Sequence, residues 1–319
     1  MSNTKAPSKS RQKLDANLAK IAQQILDAID DDPGSWTKPW ASLGLNGPQN
    51  AATGKAYNGG NWLMLAIEMI EQQWSDPRFA TYKQWQGIDC QVRKGEQGTP
   101  ILRISLSKCC KDAACDNSGD CGNRRRIFFN VHVVFNRAQV DGDVPELIDT
   151  DDPTGVDMTD ADQVKDMFKR TGATCYVGVG SDMAAYSPTL DIIHMPHPAQ
   201  FDDVEGFTAT MAHEHCHWTG HKDRLNRDGI TGHHPFGSAG YAAEELVAEL
   251  GALFTCSQLG VEHRAITEHA AYIQHWLRGI DADKRGEAVR AAATKAAKAA
   301  EYLTDRITAA AEQPEAIAA

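Results

Sequence analysis

Apolar positions in the first half of the chain fall into two kinds of pattern. Residues 8–29 carry apolar side chains at intervals of three and four, which predicts an amphipathic helix, and residues 61–73 repeat this spacing. Residues 87–140 contain short apolar runs and period-two alternation, which predict strands. The first half is therefore expected to be an α+β domain with a small sheet. The helix positions are Leu14, Leu18, Ile21 and Ile25, and the strands are predicted at 90–92, 99–106 and 126–135.

The second half is predicted to be mainly helical, with a few short strands. The Ala-rich stretch 286–300 strongly favours a helix, and its expected role is packing. Taken together, the two halves give an α+β protein of two domains. In the second half, helices are expected at 160–170, 203–220, 239–259 and on to about 308, and strands at 175–179 and 191–195.

An acidic stretch separates the two halves. Residues 141–157 contain seven Asp or Glu residues together with Pro145, Pro153 and Gly155, which is typical of a solvated linker. The net charge of -11 divides unevenly: residues 1–145 hold 18 Lys+Arg against 15 Asp+Glu, and the remainder holds 14 against 28. We predict a first domain at 8–145, a linker at 146–157 and a second domain at 158–312.

Composition limits the class of protein. The chain is 42% hydrophobic and 24% charged, which is typical of a globular protein. No apolar run reaches the roughly 18 residues that span a bilayer, and the N-terminus has no secretion signal, so we expect a cytoplasmic protein without a membrane partner. Eight cysteines in 319 residues are too dilute for a disulfide scaffold and are expected to be thiols or metal ligands.

The sharpest motif is HExxH at residues 213–217. Four residues make just over one helical turn, so His213 and His217 project from one face and can bind the same zinc ion. Glu214 follows the first histidine, where its carboxylate can take a proton from water as general base while the metal lowers the pKa of that water. His215 and Cys216 fall off this face and are expected to pack around the site.

A catalytic zinc site needs a third protein ligand. Glu244, Glu245 and Glu249 lie about thirty residues further on, in a second predicted helix, where Glu245 and Glu249 share a face. We predict Glu245 as the third ligand and Glu249 as the acceptor of a hydrogen bond from a ligand histidine. Glu244 remains a competitor for the metal, and His221 is a weaker one.

Two further features of a peptidase site are left open by the sequence. An oxyanion needs a hydrogen-bond donor, and Tyr241, His234 and His221 are candidates; His233 and His234 are also typical of surface histidines. The strand at 191–196 is either the edge strand that holds an extended peptide or an ordinary core strand.

Aromatic and basic residues interleave in the first half, as binding of single-stranded DNA requires. Individually, the tryptophans are also expected as core residues. The predicted DNA-binding residues are Trp36, Lys38, Trp40, Lys55, Tyr57, Asn61, Lys83, Trp85 and Lys94.

A cysteine-rich insert interrupts the strands of the first half. Its four cysteines either bind a second, structural zinc ion or form a reduced hairpin loop, because they lack the paired CxxC spacing. The arginine run 124–126 that follows either contacts phosphate or is solvated. The cysteines are Cys109, Cys110, Cys115 and Cys121.

The ordered motifs of both halves together resemble the ArdC-type antirestriction proteins of plasmids and phages. The resemblance covers roughly residues 12–260. Two departures are the cysteine-rich insert and the pair His215-Cys216, which stands where a small or aliphatic pair is usual. The matching stretches are 36–40 (WTKPW), Asn50, 53–57 (TGKAY), 60–61 (GN), 81–87 (TYKQWQG), 94–95 (KG), 134–140 (VFNRAQV), 213–227 (HEHCHWTGHKDRLNR), 236–237 (FG) and 241–250 (YAAEELVAEL).

The resemblance implies an N-terminal domain that is similar to that of TraC-type plasmid primases and binds single-stranded DNA, and a zincin-like metallopeptidase domain. The implied function is protection of incoming DNA from host restriction, for example during conjugation. Whether the zinc site cleaves a protein is left open, as is its substrate, which would be an unknown protein or a host restriction component. The alternatives are a DNA-binding accessory protein with a structural metal, and a regulatory metalloprotease that cleaves a DNA-bound repressor.

Overall fold

The computed structural model describes residues 9–31, 47–106, 127–144, 156–179, 182–261 and 270–311. The first half contains the helices α1 (Lys9–Asp31), α2 (Gly59–Gln72) and α3 (Tyr82–Gln86) and the strands β1 (Gln49–Asn50), β2 (Arg78–Thr81), β3 (Gln91–Val92), β4 (Thr99–Leu106), β5 (Ile127–Asn136) and β6 (Val140–Asp141). The second half contains the helices α4 (Ala161–Lys169), α5 (Val204–Thr219), α6 (Asp228–Thr231), α7 (Ala239–Gln258), α8 (Ala270–Gly279) and α9 (Ala282–Ala311) and the strands β7 (Thr174–Val177), β8 (Ala185–Ser187) and β9 (Ile192–Met195).

This arrangement confirms the predicted α+β class, with the larger sheet in the first half and a mainly helical second half. The predicted linker at 146–157 lies outside the described residues except for its last two positions, 156 and 157. The cysteine-rich insert also lies outside the described residues, as do Trp36, Lys38 and Trp40.

The sheet of the first half has the strand order β1-β2-β5-β4. β4 and β5 form its long antiparallel hairpin, with Thr99 opposite Val134 and Leu106 opposite Ile127. The short helix α3 follows β2 and begins with a capping box, in which the Thr81 side chain accepts from the backbone of Gln84 and the Gln84 side chain accepts in return. This cap fixes α3 against the sheet.

The sheet of the second half has the order β7-β9-β8, so β9 is its central strand. β9 pairs in parallel with β7 and antiparallel with β8. Of the two interpretations of residues 191–196, the structure excludes the edge strand and agrees with the core strand, because both sides of β9 are already hydrogen bonded. The sequence pattern did not predict β8, whose three residues are too few to show a period.

A hydrophobic core joins helices from the two halves of the chain. The apolar stripe of α1 is buried, and it packs with α2 against α7, α8 and α9. Trp62 of α2 meets Phe254 of α7 edge to face, with ring centroids 5.3 Å apart. A second core cluster packs α4, α5 and the strand β9 against α7 and α9. α7 and α9 therefore contribute to both clusters. Within the part of the chain that the structure describes, no helix is long and apolar enough to cross a membrane.

Candidate metal centre

Helix α5 carries the HExxH motif, and the rest of the protein surrounds its second half. Asp203 caps the helix by accepting from the backbone nitrogen of Gly206 at 2.8 Å. Every residue from 211 to 220 is buried. The histidines therefore sit in a low-dielectric environment, where their contacts with charged groups are stronger than in water.

The ring nitrogens of His213 and His217 converge with the carboxylate of Glu245. The two Nε2 atoms lie 3.1 Å apart. Glu245 Oε2 is 3.4 Å from Nε2 of His213, and Glu245 Oε1 is 3.6 Å from Nε2 of His217. These three residues form a group that can hold a metal ion.

The spacing of these donor atoms fits a zinc-like ion. Zn–N bonds of about 2.0–2.1 Å at tetrahedral angles place ligand atoms about 3.3 Å apart. The two Nε2 atoms, 3.1 Å apart, are close to that value, and each has one oxygen of Glu245 at 3.4 or 3.6 Å. With one donor atom from each residue, all three donors lie within 4.8 Å of one another. Two imidazoles and one carboxylate are also the donor set of many catalytic zinc sites.

The neighbouring glutamates of α7 occupy the outer side of the two histidines. Glu244 Oε1 lies 3.6 Å from Nδ1 of His217, and Glu249 Oε1 lies 3.8 Å from Nδ1 of His213. We predicted a hydrogen bond between Glu249 and a ligand histidine. These two atoms instead lie at the distance of an ion pair, which is longer than a hydrogen bond. Glu244, the competitor for the metal, instead faces Arg227, and the structure brings Glu245 alone of the three carboxylates to both Nε2 atoms.

Arg227 is a buried residue of the site that sequence reasoning missed. Its Nη2 donates to Glu244 Oε1 at 2.6 Å, and its Nε contacts both carboxylate oxygens of Glu244. Nη1 donates to Thr219 Oγ1 and Nη2 to the carbonyl of Cys216, each at 2.6 Å. A single arginine in a loop gives no sequence signal of burial, so only the tertiary structure identifies it.

Burial and charge act against each other on the ionisable groups of the site. Burial disfavours a charged His217, but Glu245 and Glu244 outweigh this effect and raise its pKa to about 10. Burial raises the pKa of Glu244, but His217 and Arg227 outweigh it and hold that pKa below its usual value. The carboxylates thus create a strongly cation-attracting position between the helices.

The two variable residues of the motif pack away from the metal face, as expected. His215 bonds through Nδ1 to the carbonyl of Met211 at 2.7 Å, and its ring lies 4.7 Å from that of Phe168. Burial lowers the pKa of His215 to about 4. Cys216 is fully buried against Gly251 of α7, and burial raises the pKa of its thiol to about 12.

An open cavity of about 410 Å³ lies beside the three donors. Glu214 lines it, as do two of the three oxyanion candidates, Tyr241 and His234. His221, the third candidate, is not among the lining residues, and its Nδ1 accepts from the backbone of Asp223. The remaining walls come from β8 with its flanking residues, from α6 and the loop after it, and from Glu244 of α7: Ala184, Ala185, Tyr186, Pro188, Thr189, Gly229, Ile230, Gly232, His233 and Glu244.

The predicted DNA-binding residues of the first half have different environments. Trp85 is fully buried, and its indole donates to the carbonyl of Phe135 at 3.0 Å, so it offers no face to a base. Asn61 bonds to both backbone groups of Leu102 and holds α2 to β4. Tyr57 is half-buried, and its hydroxyl donates to the carbonyl of Phe79. Among the six members of the set that the structure describes, Lys55, Lys83 and Lys94 are exposed.

Two family models match the chain, one in each half. Residues 15–135 match the N-terminal domain of the anti-restriction factor ArdC, and residues 162–295 match a zincin-like metallopeptidase.

Solved structures of the ArdC antirestriction protein from the R388 plasmid resemble the whole chain. The metal-free structure has 32% identity and a TM-score of 0.69, over 92% of this chain and 98% of that one. The Mn(II)-bound structure has 32% identity and a TM-score of 0.68, over 91% and 97%.

Curated relatives extend this similarity. The uncharacterised protein y4eC of Sinorhizobium fredii is 34% identical over 291 residues, which cover 89% of this chain and 90% of y4eC. Two DNA primases TraC of Escherichia coli are each 36% identical over 86% of this chain. The matched part is 19% of one primase and 26% of the other, so the chain spans about a fifth to a quarter of those proteins.

Proposed function

The chain belongs to the ArdC family of antirestriction proteins and carries its zincin-like domain, and from this premise we propose that it binds single-stranded DNA and protects incoming DNA from host restriction. We propose further that it acts in the cytoplasm of the cell that receives a mobile element, and that its metal centre hydrolyses a peptide bond. The observation that carries the second part is the open cavity beside His213, His217 and Glu245.

Three protein ligands next to a cavity favour a catalytic centre over a structural one. Structural zinc sites are closed by four protein ligands, whereas catalytic sites have three and keep a position open. His213, His217 and Glu245 supply three donors, and the cavity of about 410 Å³ has room for part of a peptide chain. Zinc is the proposed ion because two imidazoles and one carboxylate suit it.

The residues around the cavity have the chemistry that peptide hydrolysis needs. A divalent ion held by the three donors would supply Lewis acidity, which activates water and polarises a carbonyl group. Glu214 lines the same cavity and is proposed to accept a proton from the attacking water and deliver it to the leaving amine. Tyr241 and His234 line it too, and either can donate a hydrogen bond to the carbonyl oxygen as negative charge develops.

Exposed cations in the first half support the binding of DNA. Lys55, Lys83 and Lys94 are exposed and can contact phosphates. Tyr82 precedes Lys83 in α3 and is 42% exposed, so it can stack on a base where Trp85 cannot. Trp36, Lys38 and Trp40 remain proposed contacts.

The substitution Glu214→Gln tests hydrolysis without removing a metal ligand. We expect it to abolish protection when an unmodified plasmid is transferred into a restricting host, because the amide cannot accept the proton. Glu205→Gln, on the first turn of the same helix, is the matched control and is expected to protect like the wild type. Transfer efficiency, compared with that into a host without restriction, is the measurement.

The same two variants separate the alternatives. Metal content and single-strand affinity are expected to equal those of the wild type in both, and the affinity is expected to fall as salt concentration rises. Full protection by Glu214→Gln would overturn hydrolysis and leave a DNA-binding protein with a structural metal. A single cleaved host protein that is itself bound to DNA would identify a regulatory protease instead.

A further inference from the structure

A buried arginine and a buried glutamate form a rigid pair behind one of the metal-binding histidines. Arg227 and Glu244 have side chains that are each 5% exposed, and three contacts join the guanidinium to the carboxylate. Two parallel bonds between a guanidinium and a carboxylate fix both groups in orientation. The same guanidinium also binds the end of α5, through the carbonyl of Cys216 and the hydroxyl of Thr219.

Two glycines leave the space that this pair occupies. A Cβ atom at Gly229 would overlap Oε2 of Glu244 and lie 2.7 Å from its Cβ. A Cβ atom at Gly220 would lie 2.9 Å from Nη2 of Arg227. These separations are shorter than van der Waals contact, so any side chain at either position would displace the pair. The absence of a side chain at these two positions therefore leaves room for Arg227 and Glu244 where they lie.

The pair reaches the metal centre through a single histidine. Glu244 Oε1 lies 3.6 Å from Nδ1 of His217, while Nε2 of the same ring faces Glu245. A metal-binding imidazole commonly directs its second nitrogen to a carboxylate, which sets the orientation of the ring and the nitrogen that carries hydrogen. Glu244 can do this only if its own carboxylate is held in place.

We propose that Arg227 is a positioning residue, which holds Glu244 so that Glu244 orients the His217 ring toward the metal. Arg227 thereby determines how tightly the centre binds a divalent ion without touching the ion. This inference rests on the proposed function of His213, His217 and Glu245 as metal ligands. It assigns to a loop arginine a role that neither the HExxH motif nor the glutamates of α7 indicate by themselves.

The test measures metal affinity in Arg227 variants of the full chain. Zinc affinity, by competition with a chromophoric chelator, is expected to fall roughly 10- to 100-fold in Arg227→Met and less in Arg227→Lys, because such partners of metal ligands typically contribute that much. The ligand-field spectrum of the cobalt(II)-loaded protein is expected to change as the His217 ring rotates. Lysine keeps the charge but loses the planar fork.

Arg224→Lys is the matched control. Arg224 lies in the same loop and donates to the carbonyl of Trp218 at 2.6 Å, but its carboxylate partner is Asp191, which is not beside a metal ligand. In Arg224→Lys, zinc affinity and the cobalt spectrum are expected to equal those of the wild type, even if stability falls. If Arg227 were merely structural, Arg227→Lys would behave in the same way.

A double-mutant cycle shows whether Arg227 acts through Glu244. In a Glu244→Gln background, Arg227→Met is expected to change zinc affinity little further. Additive losses, or wild-type affinity and spectrum in folded Arg227→Met and Arg227→Lys, would overturn the inference. Failure of the wild type itself to bind zinc or cobalt would instead overturn the proposed metal centre.

Discussion

Glu244 and Glu245 are adjacent in sequence and have opposite surroundings. Consecutive residues of a helix point about 100° apart, so one carboxylate faces the Nε2 atoms of both histidines and the other faces Arg227. The sequence identified HExxH and the glutamate helix, because spacing alone places His213 and His217 on one face. It left Glu244 open as a ligand, because its partner is a loop residue that no periodicity connects to it.

A second ion pair at the residue scale leads to a pH prediction. Asp191 is the last residue of the turn before β9, its backbone lies in the left-handed region at φ 54°, and its carboxylate contacts Arg224. The bond from Arg224 holds the pKa of Asp191 below its usual value, although burial acts in the opposite direction. The contribution of Asp191 to stability is therefore present above the ordinary carboxyl pKa of 3.8 and is lost as pH falls through the lowered value.

Asp191→Asn tests this prediction, because asparagine tolerates the same backbone conformation. Without metal, the wild type is expected to exceed the variant in free energy of unfolding by a constant amount between about pH 5 and 8. The difference is expected to shrink below about pH 4. Urea unfolding across this pH range is the measurement, and a difference that grows with acidity would contradict the assigned ion pair.

At the scale of elements, α5 and α7 approach each other closely at one glycine. A Cβ atom at Gly251 would lie 2.6 Å from Sγ of Cys216 and 3.3 Å from its Cβ. This contact holds together the helix of the two histidines and the helix of Glu245. It also explains the cysteine within the motif, which fills the space that Gly251 leaves.

Gly251→Ala is expected to lower stability by about 1–3 kcal/mol through overpacking, even though alanine favours a helix by about 1 kcal/mol. Adding Cys216→Ala is expected to restore most of the loss, because it removes the atom that the new methyl group meets. Thermal or urea unfolding of the single and double variants measures both effects. Equal loss in the single and the double variant would show that the close contact is not the cause.

The sequence predicted most elements and missed those that are short or defined by tertiary contacts. The helix α1 was predicted from its apolar period, since a buried face leaves a repeat in the sequence, and α9 from its Ala-rich composition. β8 was missed, although it forms a wall of the cavity, because three residues carry no pattern. Trp85 shows the converse: its aromatic and basic neighbours indicated a DNA contact, but α3 directs the ring into the core.

At the scale of the whole molecule, α7 links the metal centre to the first half of the chain. Its early turns carry Glu244, Glu245 and Glu249, and its later turns pack on Trp62 through Phe254. The stripe on α1 indicated a buried face, but a stripe does not identify the surface that covers it, so the shared core was not predicted. The domain boundary at 146–157 stays a prediction. Because the helices of both halves share one hydrophobic core, we expect them to unfold together.

The most direct test is the zinc stoichiometry of the purified chain, by elemental analysis and chelator competition, for the wild type, Glu245→Gln and the control Glu205→Gln. We expect one tightly bound ion in the wild type and in Glu205→Gln. In Glu245→Gln we expect loss of tight binding, because only two donors remain beside the open cavity. A wild type that binds no zinc, or a Glu245→Gln variant that binds it equally well, would contradict the assignment of His213, His217 and Glu245.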